Sequence, residues 1–171
     1  MRIFITLFIS ILSSFTIQAQ NNLCELLKHY NSQDVPYISV QELAMPKTKA
    51  IILDAREFEE YHISHIKNAI LVGYNNFDIK KASLQLKNKH QLIVVYCSVG
   101  IRSEKIAKQL QKVGYTNVFN LYGGIFEWKN ADFPIVDSDG NHTDNVHVYS
   151  RAWSKWLLKG TKVYGSILEK I

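Results

Sequence analysis

The sequence predicts an α/β protein, a layered sandwich in which helices flank a central, parallel, five-stranded sheet. From residue 35 onward, short runs rich in β-branched and aromatic residues alternate with longer stretches of helical periodicity, as in sheets joined by helical crossovers. The run LIVVY at Leu92–Tyr96 contains no charged residue, which suits a central strand covered on both faces. Apolar residues make up 47% of the chain and charged residues 20%, a balance that allows a buried core.

Each strand is assigned to a short apolar run, and the helices to the stretches between these runs. The predicted strands are Tyr37–Val40, Ile51–Leu53, Ala69–Val72, Leu92–Tyr96 and Asn117–Phe119. The predicted helices are residues 22–30, Gln41–Met45, Arg56–His62, Phe77–Lys87, Ser103–Lys112 and Gly124–Asn130. The helix before Gly114 shows the plainest pattern, because Ile106, Ala107 and Leu110 share one face and the glycine suits a C-terminal stop.

The first residues have the pattern of an export signal. A single basic residue precedes an apolar run from Ile3 to about Ile17, which is shorter than the ~20 residues that span a bilayer. We therefore expect residues 1–19 to be a signal peptide and the protein to be exported, to the periplasm or outside the cell. Residues 20–34 are expected to form a helical lead-in to the folded domain.

The end of the chain differs in composition from the domain that precedes it. We place the domain at residues 35–137 and a C-terminal aromatic extension at 138–171, after the polar, turn-rich DSDGNHTDN. The extension is too short to bury a core of its own, so we expect it to pack on the domain. Trp153 and Trp156 lie three residues apart, which suggests that the extension covers part of the domain near the site.

The distribution of charge and the spacing of the histidines indicate that the protein binds neither nucleic acid nor a metal ion. The net charge is +5, but the basic residues occur in ones and twos without interleaved aromatic residues, so no nucleic acid is expected. We expect a monomer with no membrane contact after signal cleavage. His62, His142 and His147 have no metal-ligand spacing with either cysteine, and no metal is expected.

The cysteine at the end of the strongest strand is the candidate reactive group. Cys97 precedes a short loop and a helix, so its thiol lies at the carboxyl edge of the sheet, where open α/β sheets bind ligands. Loop and helix N–H groups around the sulfur stabilise an anion, which lowers the pKa of the thiol and favours the reactive thiolate. The residues predicted to surround the sulfur and its substrate are Ser98, Val99, Gly100, Ile101, Arg102 and Ser103. Gly100 lets the loop curl without a Cβ clash, and Arg102 adds positive charge for an anionic substrate.

A second cysteine leaves an alternative open. In an oxidising compartment Cys24 and Cys97 are the one intramolecular pair available for a disulfide. Cys24 lies in a polar segment just after the signal, whereas Cys97 has an explanation of its own at the end of a strand.

Three pieces of the sequence together resemble the rhodanese-like family. The loop VVYCSVGIRS is similar to the family's active-site loop, which runs from strand to cysteine to tight turn to helix. The segment LDAREFEEYHISHIKNAI resembles a second family motif, matched at Asp54, Arg56, Glu60, Tyr61, His65, Ile66, Ala69 and Ile70. The third piece, GYTNVFNLYGGIFEWKNADFPIV, is similar to the closing segment, in which a Gly-Gly pair starts a helix carrying Trp128. The resemblance covers residues 35–137 and implies a rhodanese-like three-layer sandwich.

The resemblance also implies a reaction. The Cys97 thiolate takes the outer sulfur of a small anionic donor such as thiosulfate, and the resulting persulfide passes it to cyanide, a thiol or a protein thiol. No cofactor is required. Asp54 and Arg56 are expected to anchor a turn, and His65 to cap or bridge structure, as supports of the site.

Departures from the family pattern concern the backbone and the loop. Ser64 and Asn68 stand where the family usually has glycines, and of the two Asn better tolerates a left-handed backbone. Ser98 stands where many members carry Arg or another large polar residue, which bears on substrate preference.

Two other functions compete with sulfur transfer. A cysteine before a helix also describes cysteine-dependent phosphatases, but these place five residues between Cys and Arg, whereas four intervene between Cys97 and Arg102. A non-catalytic binding or regulatory module of the same family is the second alternative.

Overall fold

The computed structural model describes residues 23–165, which fall into two compact units divided after Ser32. In the first unit, residues 23–30 are helical (α1), and the N–H of Asn31 donates to the carbonyl of Leu27 at the helix end. The predicted signal peptide at 1–19 lies outside the described residues. No helix within 23–165 is long and apolar enough to cross a membrane.

The second unit is built on a parallel sheet of five strands in the order β1-β5-β4-β2-β3. The strands are β1 Tyr37–Ile38, β2 Ile51–Asp54, β3 Ile70–Leu71, β4 Ile93–Tyr96 and β5 Val118–Leu121. Strand β4 is central and all four of its residues are buried, as the LIVVY run predicts. The predicted α/β class with a five-stranded parallel sheet is confirmed.

Helices connect the strands of this sheet and flank it. They are α2 Val40–Ala44, α3 Phe58–Ile63, α4 Ile79–Gln85, α5 Arg102–Lys112 and α6 Gly124–Asn130. The core lies between the sheet and α5, with Leu53, Ile93, Ile106, Leu110 and Val118 among its buried members.

The boundary between β1 and α2 differs from the prediction. Val40 was expected to end a strand, but it is the first residue of α2. The hydroxyl of Ser39 accepts from the N–H of Glu42, and the Glu42 carboxylate accepts from the N–H of Ser39. This capping box starts the helix despite the β-branched side chain of Val40.

Residues 135–163, called the C-terminal segment below, contain strands that the sequence did not predict. Strand β6 (Ile135–Val136) pairs antiparallel with β7 (His142–Thr143), and β8 (Asn145–His147) pairs in parallel with β9 (Thr161–Val163). A 3₁₀ turn at Ser154–Trp156 lies between β8 and β9. These strands are two or three residues long, too short to show periodicity in the sequence.

The side chain of Asn130, the last residue of α6, forms hydrogen bonds with this segment. The carbonyl oxygen of Asn130 accepts from the N–H groups of Leu158 and Lys159, and its amide donates to the carbonyl of Trp156. Lys129 and Lys159 form ion pairs across the same region, with Asp144 and Asp132 respectively. The segment also has an apolar anchor in three fully buried side chains, Val146, Val148 and Leu157.

Candidate active site

The reactive thiol lies where the central strand ends. Cys97 directly follows β4 and is 1% exposed. Its Sγ accepts a hydrogen bond from the N–H of Gly100 at 3.2 Å, and the hydroxyl of Ser103 lies at 3.5 Å. Gly100 has φ 105°, a left-handed value that turns the loop back over the sulfur and favours glycine.

The surroundings of the sulfur favour its ionised form. Burial alone would raise the pKa of Cys97, but the charge of Arg102, hydrogen bonds from the Ser103 hydroxyl and backbone, and the Gly100 N–H together lower it. A lowered pKa increases the thiolate fraction, and the thiolate is the nucleophile.

Asn120 on β5 orients the two residues that contact the sulfur. Its carbonyl oxygen accepts from the Ser103 hydroxyl at 2.7 Å, and its amide donates to the carbonyl of Gly100 at 2.8 Å. Asn120 is fully buried, so both of its hydrogen bonds are shielded from water. It therefore fixes both the loop and the first turn of α5 around Cys97.

The guanidinium of Arg102 is occupied by a carboxylate of α3. Its two terminal nitrogens donate to the two oxygens of Glu60, each at 2.7 Å, and one also donates to the Ser98 hydroxyl. Burial raises the pKa of Glu60, but the hydrogen bonds and charge of Arg102 outweigh it, so the pKa is lowered. The sequence predicts that Arg102 receives an anionic substrate; in the structure Arg102 lines the cavity, pairs with Glu60 and still acts on Cys97 through its charge.

Behind the site, a buried ion pair anchors the turn after β2. Arg56 donates from Nη2 to the Asp54 carboxylate at 2.6 Å and to the carbonyl of Ser64 at 2.6 Å, with both charged side chains fully buried. The hydroxyl of Tyr96, at the end of β4, donates to Asp54 at 2.5 Å. Burial and the charge of Asp54 raise the pKa of Tyr96, which keeps this hydroxyl protonated as a donor. The structure thus places Asp54 and Arg56 in a turn-anchoring network.

His65 lies in a bridging position next to this network. Its ring stacks on Tyr61 at 3.8 Å between centroids, and its Nδ1 lies 3.1 Å from the carbonyl of Tyr61. Its backbone pairs with that of Val136. Of the two positions where the family usually has glycine, Asn68 adopts a left-handed φ of 64°, whereas Ser64 has φ −168°, an extended value open to any residue.

The start of α6 packs against the backbone of Cys97 and Ser98. The N–H groups of Ile125 and Phe126 donate to the carbonyls of Cys97 and Ser98. A Cβ on Gly124 would lie 2.2 Å from the Cys97 carbonyl oxygen, so this close approach requires glycine.

A cavity of about 310 Å³ opens beside the sulfur. Its lining consists of Glu57, Tyr74, Asn75, Cys97, Ser98, Val99, Ile101, Arg102, Tyr149 and Trp153. The structure thus groups the predicted loop residues around one cavity or, for Gly100 and Ser103, against the sulfur. Asp54, Arg56 and His65 do not line it.

Sequence reasoning missed several contributions to this site. Glu60 was known as part of a motif but not as the partner of Arg102, and Asn120 was not singled out. The cavity residues Glu57, Tyr74, Asn75 and Tyr149 were not predicted either. The pairings Arg102–Glu60 and Ser103–Asn120 join residues more than 15 positions apart, and a single sequence gives no signal for such contacts.

Cys24 and Cys97 are both free thiols in the structure, so the disulfide alternative is not realised there. Within residues 23–165, no group of three His, Cys, Asp or Glu side chains could hold a metal ion.

A buried thiol at the end of a central parallel strand, surrounded by a short loop and a helix start, defines an α/β domain with a cysteine at its candidate active site. The sequence model of the rhodanese-like domain matches residues 39–131, which is 93 of the 171 residues. The chain therefore belongs to the rhodanese-like family.

Curated proteins similar to this chain match it over part of their own length. A protein named tRNA uridine(34) hydroxylase from Aster yellows witches'-broom phytoplasma (strain AYWB) is 36% identical over 99 residues. The match covers 54% of this chain and 32% of that protein, so the chain spans about a third of the length of the curated relatives it matches.

Solved structures that share the fold include the following two. The rhodanese-like domain of a protein from Anabaena sp. has a TM-score of 0.54 at 24% identity, covering 60% of this chain and 79% of that one. A thiosulfate sulfurtransferase from Pseudomonas aeruginosa has a TM-score of 0.55 at 23% identity, covering 81% of this chain and 26% of that one.

Proposed function

We propose that the protein is a sulfurtransferase that carries a sulfane sulfur on Cys97. The observation that supports this most strongly is the Cys97 sulfur itself, which has a lowered pKa and accepts from the Gly100 N–H at the edge of an open cavity. A sulfur held in this way can attack as a thiolate and can then carry a second sulfur as an anion.

The reaction has two balanced steps. The Cys97 thiolate attacks the outer sulfur of thiosulfate, the sulfur–sulfur bond of the donor breaks, and its electron pair leaves with sulfite. The enzyme is left as a persulfide anion. Cyanide or a thiolate then attacks the outer sulfur, and the electron pair of the broken bond returns to the Cys97 sulfur.

Thiocyanate formation from thiosulfate and cyanide tests this proposal. The wild-type protein should turn over, and Cys97→Ser should lose activity by at least about a thousandfold because the nucleophile is absent. Cys24→Ser is the matched control and should keep wild-type turnover. Wild-type protein that hydrolyses an aryl phosphate but forms no thiocyanate would overturn the proposal in favour of a phosphatase.

A binding module is the competing proposal, because the chain spans only about a third of the length of the curated relatives it matches. The two roles separate in Cys97→Ala. If the wild-type protein transfers sulfur and Cys97→Ala does not, the protein is an enzyme. If the wild-type protein transfers no sulfur and Cys97→Ala binds the same partners as the wild type, the protein is a binding module.

We also propose that the chain is exported, on the basis of the apolar run within residues 1–19. Cell fractionation of the full-length protein tests this, and a protein that retains residues 1–19 in the cytoplasmic fraction would contradict it.

A further inference from the structure

The cavity over Cys97 has an aromatic wall that comes from two distant parts of the chain. Tyr74 follows β3, whereas Tyr149 and Trp153 belong to the segment 148–157 that follows β8. With Val99 and Ile101 from the loop, these side chains give the cavity a largely apolar lining. A volume of about 310 Å³ exceeds what a small inorganic anion fills and falls in the range of cavities that bind organic molecules.

The charges at the cavity favour an uncharged acceptor over an anionic one. Two charged residues line it, Arg102 and Glu57. Both terminal nitrogens of Arg102 are bonded to Glu60, and its guanidinium carbon lies 4.9 Å from the centroid of the Tyr149 ring. An anionic group on the acceptor would therefore meet the carboxylate of Glu57 and an Arg102 whose two terminal nitrogens already donate to Glu60. Lys105, whose Nζ lies 5.9 Å from the Tyr74 ring centroid, does not line the cavity.

The segment 148–157 is held in place at both ends. The N–H of Val148 donates to the carbonyl of Val163, and the carbonyl of Trp156 accepts from Asn130. Tyr149 has φ 61°, a left-handed value that costs a non-glycine residue energy, and its N–H donates to Nδ1 of His147. The surrounding contacts thus fix Tyr149 in a strained conformation over Arg102.

We propose that segment 148–157 selects the sulfur acceptor, favouring an uncharged thiol with an aryl or other apolar body over a small anionic thiol. This inference rests on the proposed sulfur transfer and adds its acceptor class. The acceptor thiolate attacks the outer sulfur of the Cys97 persulfide, and the sulfur–sulfur bond of the enzyme breaks. The electron pair returns to Cys97, the acceptor leaves as an organic persulfide, and its thiol proton goes to solvent.

Two thiols that differ only in the distal group test this proposal. Protein loaded with thiosulfate, with persulfide formation verified by mass, is reacted with 2-phenylethanethiol and with 2-mercaptoethanesulfonate. We expect kcat/KM to favour the phenyl thiol by about tenfold, because its ring packs against Tyr74 and Trp153. In Trp153→Ala this ratio should fall to within about twofold of unity.

Two further variants make the result specific. Trp156→Ala removes an indole of the same segment that does not line the cavity, so its ratio should stay at the wild-type value. Tyr74→Ala removes an aromatic lining residue outside the segment and should also lower the ratio, which keeps the test valid if Trp153→Ala misfolds. A wild-type ratio near unity, or a ratio unchanged in both Trp153→Ala and Tyr74→Ala, would overturn the inference. Failure of the sulfur to load at all would instead overturn the proposed function.

Discussion

The protonation state of Cys97 decides whether the site can react. Its folded pKa is lowered, because Arg102, Ser103 and the Gly100 N–H outweigh the effect of burial. The thiolate therefore adds to stability above the unfolded pKa, and this contribution disappears as pH falls through the folded pKa. Reactivity should disappear over the same range.

We expect alkylation by iodoacetamide to show this shift. In Cys24→Ser protein, which reports on Cys97 alone, the pH midpoint of alkylation should lie lower in the native state than in urea. A native midpoint equal to or above that of the unfolded chain would show that the loop does not stabilise the anion.

The buried ion pair of Asp54 and Arg56 anchors the turn after β2. Asp54→Asn should destabilise the fold by about 3 kcal/mol, because it leaves the fully buried guanidinium of Arg56 without its counter-ion. Asp132→Asn is the matched control, since the pair of Asp132 with Lys159 is half to three-quarters exposed. It should change the free energy of unfolding by less than about 0.5 kcal/mol. Equal effects in urea unfolding would mean that burial of the first pair is unimportant.

The contact between α6 and the end of β4 depends on one glycine. In Gly124→Ala the new methyl group would meet the Cys97 and Ser98 carbonyls, so α6 must move and the loop around the thiol with it. We expect a loss of stability of several kcal/mol, which exceeds the ~1–2 kcal/mol cost of a left-handed backbone alone. Sulfur transfer should fall at least tenfold.

Gly114→Ala separates these two causes. Gly114 also has a left-handed φ, of 93°, but nothing lies within 4 Å of its added Cβ. It should show only the backbone cost and keep full activity. If both variants behaved alike, the close approach of α6 to the loop would be refuted.

How far the sequence predicted each helix and strand depended on its length and burial. Strand β4 and helix α5 were correctly located to within a residue, because one is wholly apolar and the other has a regular apolar face. The short pairs β6–β7 and β8–β9 were missed because their strands are only two or three residues long and show no periodicity. The loop around Cys97 was predictable because its residues are consecutive in the chain. The pairing of Arg102 with Glu60 was not, because it joins residues 42 positions apart.

Across the whole chain, the C-terminal segment belongs to the same compact unit as the domain. Leu157→Ala should therefore lower the stability of the entire unit by about 3 kcal/mol, since this side chain is fully buried. The neighbouring Leu158→Ala should have almost no effect, because Leu158 is 64% exposed. We expect tryptophan fluorescence and far-UV circular dichroism to report one shared transition in both variants. Separate transitions would show that the segment folds independently.

The central claim is that Cys97 accepts and carries a sulfur atom. The most direct measurement is the intact mass of the purified protein after treatment with thiosulfate. We expect the wild-type and Cys24→Ser proteins to gain the mass of one sulfur atom and Cys97→Ala to gain none. Wild-type protein without this gain, or Cys97→Ala protein that shows it, would contradict the assignment.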